Sequence, residues 1–445
     1  MLACAVLAAP AASDVRFQRL DGFRAPGTPD RLNKVGVLKV GPRKAPNVLI
    51  LNPGTSASAA YFAPLAKTLV KRAKGWQVWA VERRENLLED HSAADRVKAK
   101  KANGKRLFDY YLGYLTDSGV TSHYSAVPDP DVPFARRWGM RVAVEDLRRV
   151  VRSAKKLGGK VVVGGHSLGG SITTAYATWD FNGKPGARGL AGLVFIDGGS
   201  SATPVTTDQA NQSLQELEAG SPWLAFGGIP APFAGLFNIV GSTLARVEPN
   251  APAELEGWPL LPENLRPPFR ATNLGGYGFA LDTATSPPSL AAAQAHLGRP
   301  AAGGDPRGWT RAGELTPIRR FADMFSGTGL KGLDGTAWYH PRRLTIDSGA
   351  VAAGNANPAQ QLLGVRATHG DDLRRLRLYA FAGSLGAQRV IDAARGLARQ
   401  SDIPRRRLTV INRASTYSHN DPNSAYPRND FIAGLVPWLA RVRRD

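Results

Sequence analysis

The stretch 160–179, KVVVGGHSLGGSITTAYATW, limits this chain more than any other. Its valines suit a strand and its last nine residues suit a helix. Only Gly165-His166-Ser167-Leu168-Gly169 separates the two. A strand that turns into a helix this fast forces its central residue into a strained backbone conformation. Residues two places either side then come so close that a Cβ would collide where glycine does not. The G-x-S-x-G spacing, with a strand before and a helix after, is the setting in which a serine hydroxyl is lifted clear of a sheet edge. The following helix start offers amide N–H groups and a positive dipole end to a developing oxyanion. The bland alternative is a glycine-rich packing turn that happens to contain serine.

From about residue 35 short apolar runs alternate with amphipathic helical stretches, the pattern of a mainly parallel sheet covered on both faces. RLNKVGVLKV, NVLILNPG, WQVWAVERRE, the valine strand and LAGLVFIDGGS read as strands. Met140, Val144, Leu147 and Val151 recur at helical spacing. A polar, lysine-rich excursion precedes that helix. The alternation lapses between about 200 and 371, where proline, glycine and tryptophan are frequent. A disordered linker would carry fewer aromatics, so this region is expected to be a folded cap, largely helical and irregular. RLRLYAFAG, a helix over 388–400, RRLTVIN and a closing helix complete the pattern. The expected organisation is an α/β core in two parts, 14–199 and 372–445, around a cap at 200–371.

With these elements in place, the elbow motif and the order of its neighbours resemble the α/β-hydrolase family, particularly its secreted esterases and lipases, over residues 35–200 and 372–445. The resemblance implies a Ser–acid–His triad in that order, with the histidine on the loop after the last strand. LTVINRASTYSHNDP places His419 there as general base for Ser167. His166 lies beside the serine in sequence, but an elbow turns it away from the hydroxyl, so it is expected to support the turn together with Gly165 and Gly169. His91, His123, His296, His340 and His369 have no positional argument. In most of the family the acid follows the strand before the histidine strand. Here that strand ends YAFAGSLGAQ without a carboxylate. Asp197, after the strand that follows the elbow helix, resembles the arrangement of pancreatic-type lipases and would orient His419. Asp371, Asp372 and Glu82 are weaker candidates, and a structural role for Asp197 in the DGGS turn is the alternative. The same stretch holds a near copy of the elbow, Ala382-x-Ser384-x-Gly386. The oxyanion hole is expected from the amides of Leu168 and Thr55, with Gly54 making the tight turn where the family often has His-Gly.

The expected activity is hydrolysis of a carboxylic ester, a small molecule or a lipid, through an acyl-enzyme, with neither metal nor organic cofactor. Peptidase, thioesterase and acyltransferase chemistry share the same elbow. A non-catalytic reading rests on charge: 57 Lys and Arg against 36 Asp and Glu give a net charge of +21, which draws a protein to anionic surfaces. The densest basic run, RVKAKKANGKR, lacks a nucleic-acid module or interleaved aromatics, so no specific nucleic-acid partner is expected. A monomer with electrostatic attachment to an anionic cell envelope is the expectation. The opening MLACAVLAAPAASDV reads as the remnant of a secretory signal over residues 1–13, so the protein is expected outside the cytoplasm. The single cysteine, Cys4, falls inside it.

Overall fold

The computed structural model describes residues 14–445, so the signal-remnant reading and Cys4 lie outside the described residues. Eight strands form the central sheet: β1 (Val15–Asp21), β2 (Lys34–Val40), β3 (Asn47–Asn52), β4 (Trp76–Glu82), β5 (Val161–His166), β6 (Gly192–Ile196), β9 (Arg377–Ala382) and β10 (Leu408–Asn412). A separate hairpin supplies β7 (Arg299–Gly304) and β8 (Arg307–Thr310). The sheet order is β1-β2-β4-β3-β5-β6-β9-β10, and all pairings from β4 to β10 are parallel. β1 and β2 are antiparallel additions at one edge.

After β3 the chain steps one way to β4, and after β5 it steps the other way to β6. Their carboxyl ends therefore flank the point where the winding reverses, the crevice where open α/β sheets bind ligands. Asn52 at the end of β3 pairs with Gly165 near the end of β5, so the loop after Asn52 and the turn after His166 start side by side.

Both faces are covered, as runs of apolar residues in parallel strands require. Met140, Val144, Leu147 and Val151 of the helix Met140–Lys155 are buried against one face, alongside Ile172 and Ala175 of the helix Leu168–Thr178. The helices Ala63–Arg72 and Asp430–Arg444 cover the other.

The regular structure of residues 200–371 is mainly helical, set among irregular segments, with the longest helices at Thr207–Ala219 and Phe233–Val247. The β7–β8 hairpin interrupts them; its glycine-rich strands carry no apolar alternation that would announce them. The polar excursion is also more than a solvated loop. Tyr111, Tyr124 and Trp138 from it pack with Trp223, Leu236 and Trp338 in a third core. Lys98, in the basic run, buries its ammonium against the carbonyls of Leu330 and Leu333 at 2.9 and 3.0 Å. The excursion and the cap thus share one apolar core. No helix among the described residues is long and apolar enough to cross a membrane.

The elbow shows why its glycines are needed. Ser167 sits at φ 55°, ψ −125°. A Cβ built on Gly165 would lie 2.1 Å from the Gly169 carbonyl oxygen, and one on Gly169 would lie 2.0 Å from that of Asn52. Backbone cannot yield by that much without moving the sheet. Gly165→Ala is therefore expected to cost about 1–3 kcal/mol or more of stability, as overpacking does, read as a lower denaturation midpoint in urea. An unchanged midpoint would contradict the close packing described here.

Candidate active site

Asp197 directly follows β6 and adopts a positive φ of 42°. The turn after β9 meets it there: the N–H groups of Gly383 and Gly386 donate to Asp197 Oδ1 at 2.7 and 3.0 Å. A Cβ on Gly386 would sit 2.6 Å from that oxygen, so only glycine lets the amide approach. With Oδ1 held, Oδ2 accepts from His419 Nδ1 at 2.6 Å. Both side chains are almost fully buried. Burial alone would raise the Asp197 carboxyl, but the hydrogen bond and charge of His419, with the Gly383 amide, outweigh it and hold the group below its ordinary value. The carboxylate therefore stays ionised and accepts, so His419 Nδ1 carries the proton of this bond.

The glycines of the near-copy motif thus cradle the acid. Ser384 itself is exposed, its N–H bonded to the Tyr417 carbonyl, and only the neighbouring Leu385 reaches the cavity described below. The other candidate acids are engaged elsewhere. Glu82 accepts the Ala59 N–H at 2.6 Å, Asp372 pairs with His369 at 2.7 Å, and Asp371 is exposed.

His166 packs its ring against that of His419, centroids 4.2 Å apart, and its Nε2 lies 2.9 Å from the His419 carbonyl oxygen. A carbonyl only accepts, so Nε2 carries the proton. Burial, and then the neighbouring charge of His419, push the His166 ring down to about 3, which keeps it neutral. It therefore steadies the histidine loop as well as the turn. Tyr61 adds a second brace, donating to Asn420 Oδ1 at 2.6 Å and accepting from Asn423 at 2.7 Å.

On the other side of Ser167 runs the loop after β3. A Cβ on Gly54 would lie 2.9 Å from the Ser167 Cβ, so this loop presses directly on the serine. Thr55 and Ser167 line the same cavity. The N–H groups of Thr55 and of Leu168, the first residue of its helix, are bonded to no acceptor among the described residues. Arg83 holds the loop in shape, donating to the carbonyls of Pro53, Gly54 and Ala57 at 2.9, 3.1 and 3.0 Å. Its charge is balanced by Glu85 at 2.6 Å. His340, buried and beside Arg83, is pushed well below its ordinary value and accepts the Ser56 N–H at 3.3 Å. Sequence alone did not single out Arg83 or His340 for this role, because their partners are backbone carbonyls and amides remote along the chain.

Ser167 and His419 open on one cavity of about 420 Å³. Ser167 Oγ makes no hydrogen bond among the described residues. Phe237, Leu244, Leu255, Leu265, Tyr277 and Leu290 form much of the wall. Three of its polar members have protein partners: Glu256 accepts the Ala271 N–H through Oε2, Asn238 accepts from Tyr277, and Asn273 donates to the Glu248 carbonyl. The serine therefore lies on a cavity whose wall is mostly apolar.

No family model matches the chain, and no curated protein matches it in sequence. Solved structures match it in shape. A provisionally assigned lipase from Sulfolobus solfataricus aligns with a TM-score of 0.51 at 13% identity, covering 97% of this chain and 95% of that one. A soluble variant of monoglyceride lipase from Saccharomyces cerevisiae, in complex with a substrate analogue, gives 0.41 at 12%, covering 98% and 96%. The thioesterase domain from the curacin biosynthetic pathway gives 0.41 at 12%, covering 97% and 99%. At such identities the likeness is one of fold. Joined to the parallel sheet, the reversal between β3 and β5, and the strained serine at that point, it establishes that this chain has the α/β-hydrolase fold.

Proposed function

We propose that the protein is a serine hydrolase that cleaves carboxylic esters with an apolar acyl group. The observation that carries this reading is the 2.6 Å bond between Asp197 and His419, with His419 and Ser167 both lining one mostly apolar cavity. In this reading His419 Nε2 takes the Ser167 proton as Oγ attacks the ester carbonyl, and Asp197 stabilises the imidazolium that forms. The Thr55 and Leu168 N–H groups, free of other acceptors, receive the oxyanion. Collapse of the tetrahedral intermediate passes the proton from His419 to the departing alcohol. Water, activated by the same nitrogen, then releases the acid and restores the serine. The acyl chain lies against Phe237, Leu255 and Leu290, where its burial contributes to binding.

Hydrolysis of p-nitrophenyl esters tests the assignment. Ser167→Ala is expected to abolish turnover and Ser384→Ala to leave it near normal. Asp197→Asn should lower kcat by about 10⁴-fold, the loss that follows when a triad acid no longer fixes the histidine tautomer. Circular dichroism should show each variant folded. Turnover that survives in a folded Ser167→Ala would overturn the proposal.

The cavity makes a separate prediction. Each added acyl methylene should raise kcat/KM by up to roughly four-fold, from about 0.8 kcal/mol per buried CH₂, until the chain outgrows the cavity. An enzyme that prefers acetyl to octanoyl esters would contradict the apolar acyl site.

A further inference from the structure

A second cluster of chemically capable side chains lies apart from the Ser167 cavity, where the segment after β4 meets the cap. Glu89 and His91 follow the short turn Arg84–Leu88, and Asp334 comes from the cap segment after the helix Ile318–Ser326. Their side chains are 1%, 8% and 0% exposed. His91 Nε2 lies 3.1 Å from Asp334 Oδ2 and 3.3 Å from Glu89 Oε2, and the three donor atoms all lie within 4.8 Å of one another.

Protein hydrogen bonding leaves this arrangement incomplete. One ring nitrogen carries at most one proton, yet two carboxylate oxygens converge on it. The bond goes to Asp334, and Glu89 Oε2, buried and facing the same nitrogen, receives no hydrogen bond at all. A buried carboxyl oxygen left without a partner is costly. The rest of the cluster is firmly built. Glu89 Oε1 accepts the Trp338 N–H at 2.7 Å and Asp334 Oδ1 accepts the Thr336 N–H at 2.5 Å. The Trp338 ring N–H donates to Asp334 Oδ2 at 2.9 Å. Outer partners that fix the orientation of the two carboxylates are what metal sites use to hold their ligands, whereas His91 Nδ1 has no such partner among the described residues.

We propose that Glu89 Oε2, His91 Nε2 and Asp334 Oδ2 bind a divalent transition-metal ion of the zinc class, with water as the fourth ligand. One imidazole with two carboxylates is a donor set zinc accepts, whereas calcium needs six to eight oxygens, more than this buried pocket offers. Bonds of about 2.0–2.2 Å in a tetrahedron set donor atoms roughly 3.3–3.6 Å apart. The separations of 3.1 and 3.3 Å at His91 Nε2 need to widen by at most a few tenths of an ångström, and the two carboxylate oxygens lie within 4.8 Å of each other. The ion would be structural. It would tie the segment after β4 to the cap strip 334–337, which itself bonds the loop beside Thr55: Ser58 N–H to the Gly335 carbonyl at 3.2 Å and Ala337 N–H to the Ser56 carbonyl at 2.9 Å.

The test uses the full chain without a histidine tag. Elemental analysis after dialysis against zinc is expected to give about one ion per chain. Chelation should lower the melting temperature, and zinc, but not calcium or magnesium, should restore it. Glu89→Gln keeps an oxygen for the Trp338 N–H but loses the ligand charge. It should fold by circular dichroism and weaken zinc binding by more than the roughly 10- to 100-fold that follows loss of a supporting partner. A folded wild-type protein that takes up no zinc would make the cluster an imidazolium held between two carboxylates and overturn the proposal. So would equal rescue by calcium, or zinc binding unchanged in Glu89→Gln.

Discussion

The bond between His419 and Asp197 is the contact on which the remaining geometry depends. It joins residues 222 positions apart in sequence and draws together the ends of β6 and β10, with β9 between them. A carboxylate placed directly after β6 reaches His419 only if the turn after β9 stays out of its way and also steadies it. Gly383 and Gly386 do both, by presenting amides where a side chain would collide. Once Oδ1 is occupied by those amides, Oδ2 faces His419 and accepts from its Nδ1. The strain at Asp197, at a positive φ, sits within the same network that holds it.

The two loops that complete the site are each fastened to the cap. Asn420 donates to the Ala292 and Gln294 carbonyls, and the neighbouring Asp421, fully buried, accepts from Ser418, Thr316 and His296. On the opposite side Arg83, His340 and the strip 334–337 shape the loop that carries Thr55. The cap therefore does more than wall the cavity. It braces the His419 loop on one side of Ser167 and the loop that carries Thr55 on the other, so the cavity's shape and the placing of these groups rest on the same contacts.

Much of this was legible in the sequence, for identifiable reasons. The elbow is a local object: strand, strained serine and helix lie within twenty consecutive residues, and the glycines that permit it are visible as spacing. The parallel strands are apolar throughout, so periodicity exposes them. Asp197 was harder, because what selects it over Glu82 or Asp372 is the donor pair at Gly383 and Gly386, nearly 190 positions away. Those glycines were visible only as a copy of the elbow. β1 alternates polar and apolar residues at an edge, and the β7–β8 hairpin is mostly glycine, alanine and arginine, so neither carries the signal of a buried strand. Arg83 looked like one more residue in a basic chain. Its function lies in three backbone carbonyls that no sequence pattern marks.

The most direct measurement is a crystal structure of the protein after reaction with a long-chain alkylphosphonate. The account predicts phosphorus bonded to Ser167 Oγ and a phosphoryl oxygen 2.7–3.1 Å from both the Thr55 and Leu168 nitrogens, the span expected of oxyanion donors. It also predicts His419 Nε2 within hydrogen-bonding reach, still held by Asp197, with the alkyl chain against Phe237 and Leu290. An adduct on any other side chain, or one on Ser167 with His419 turned away from it, would contradict the account.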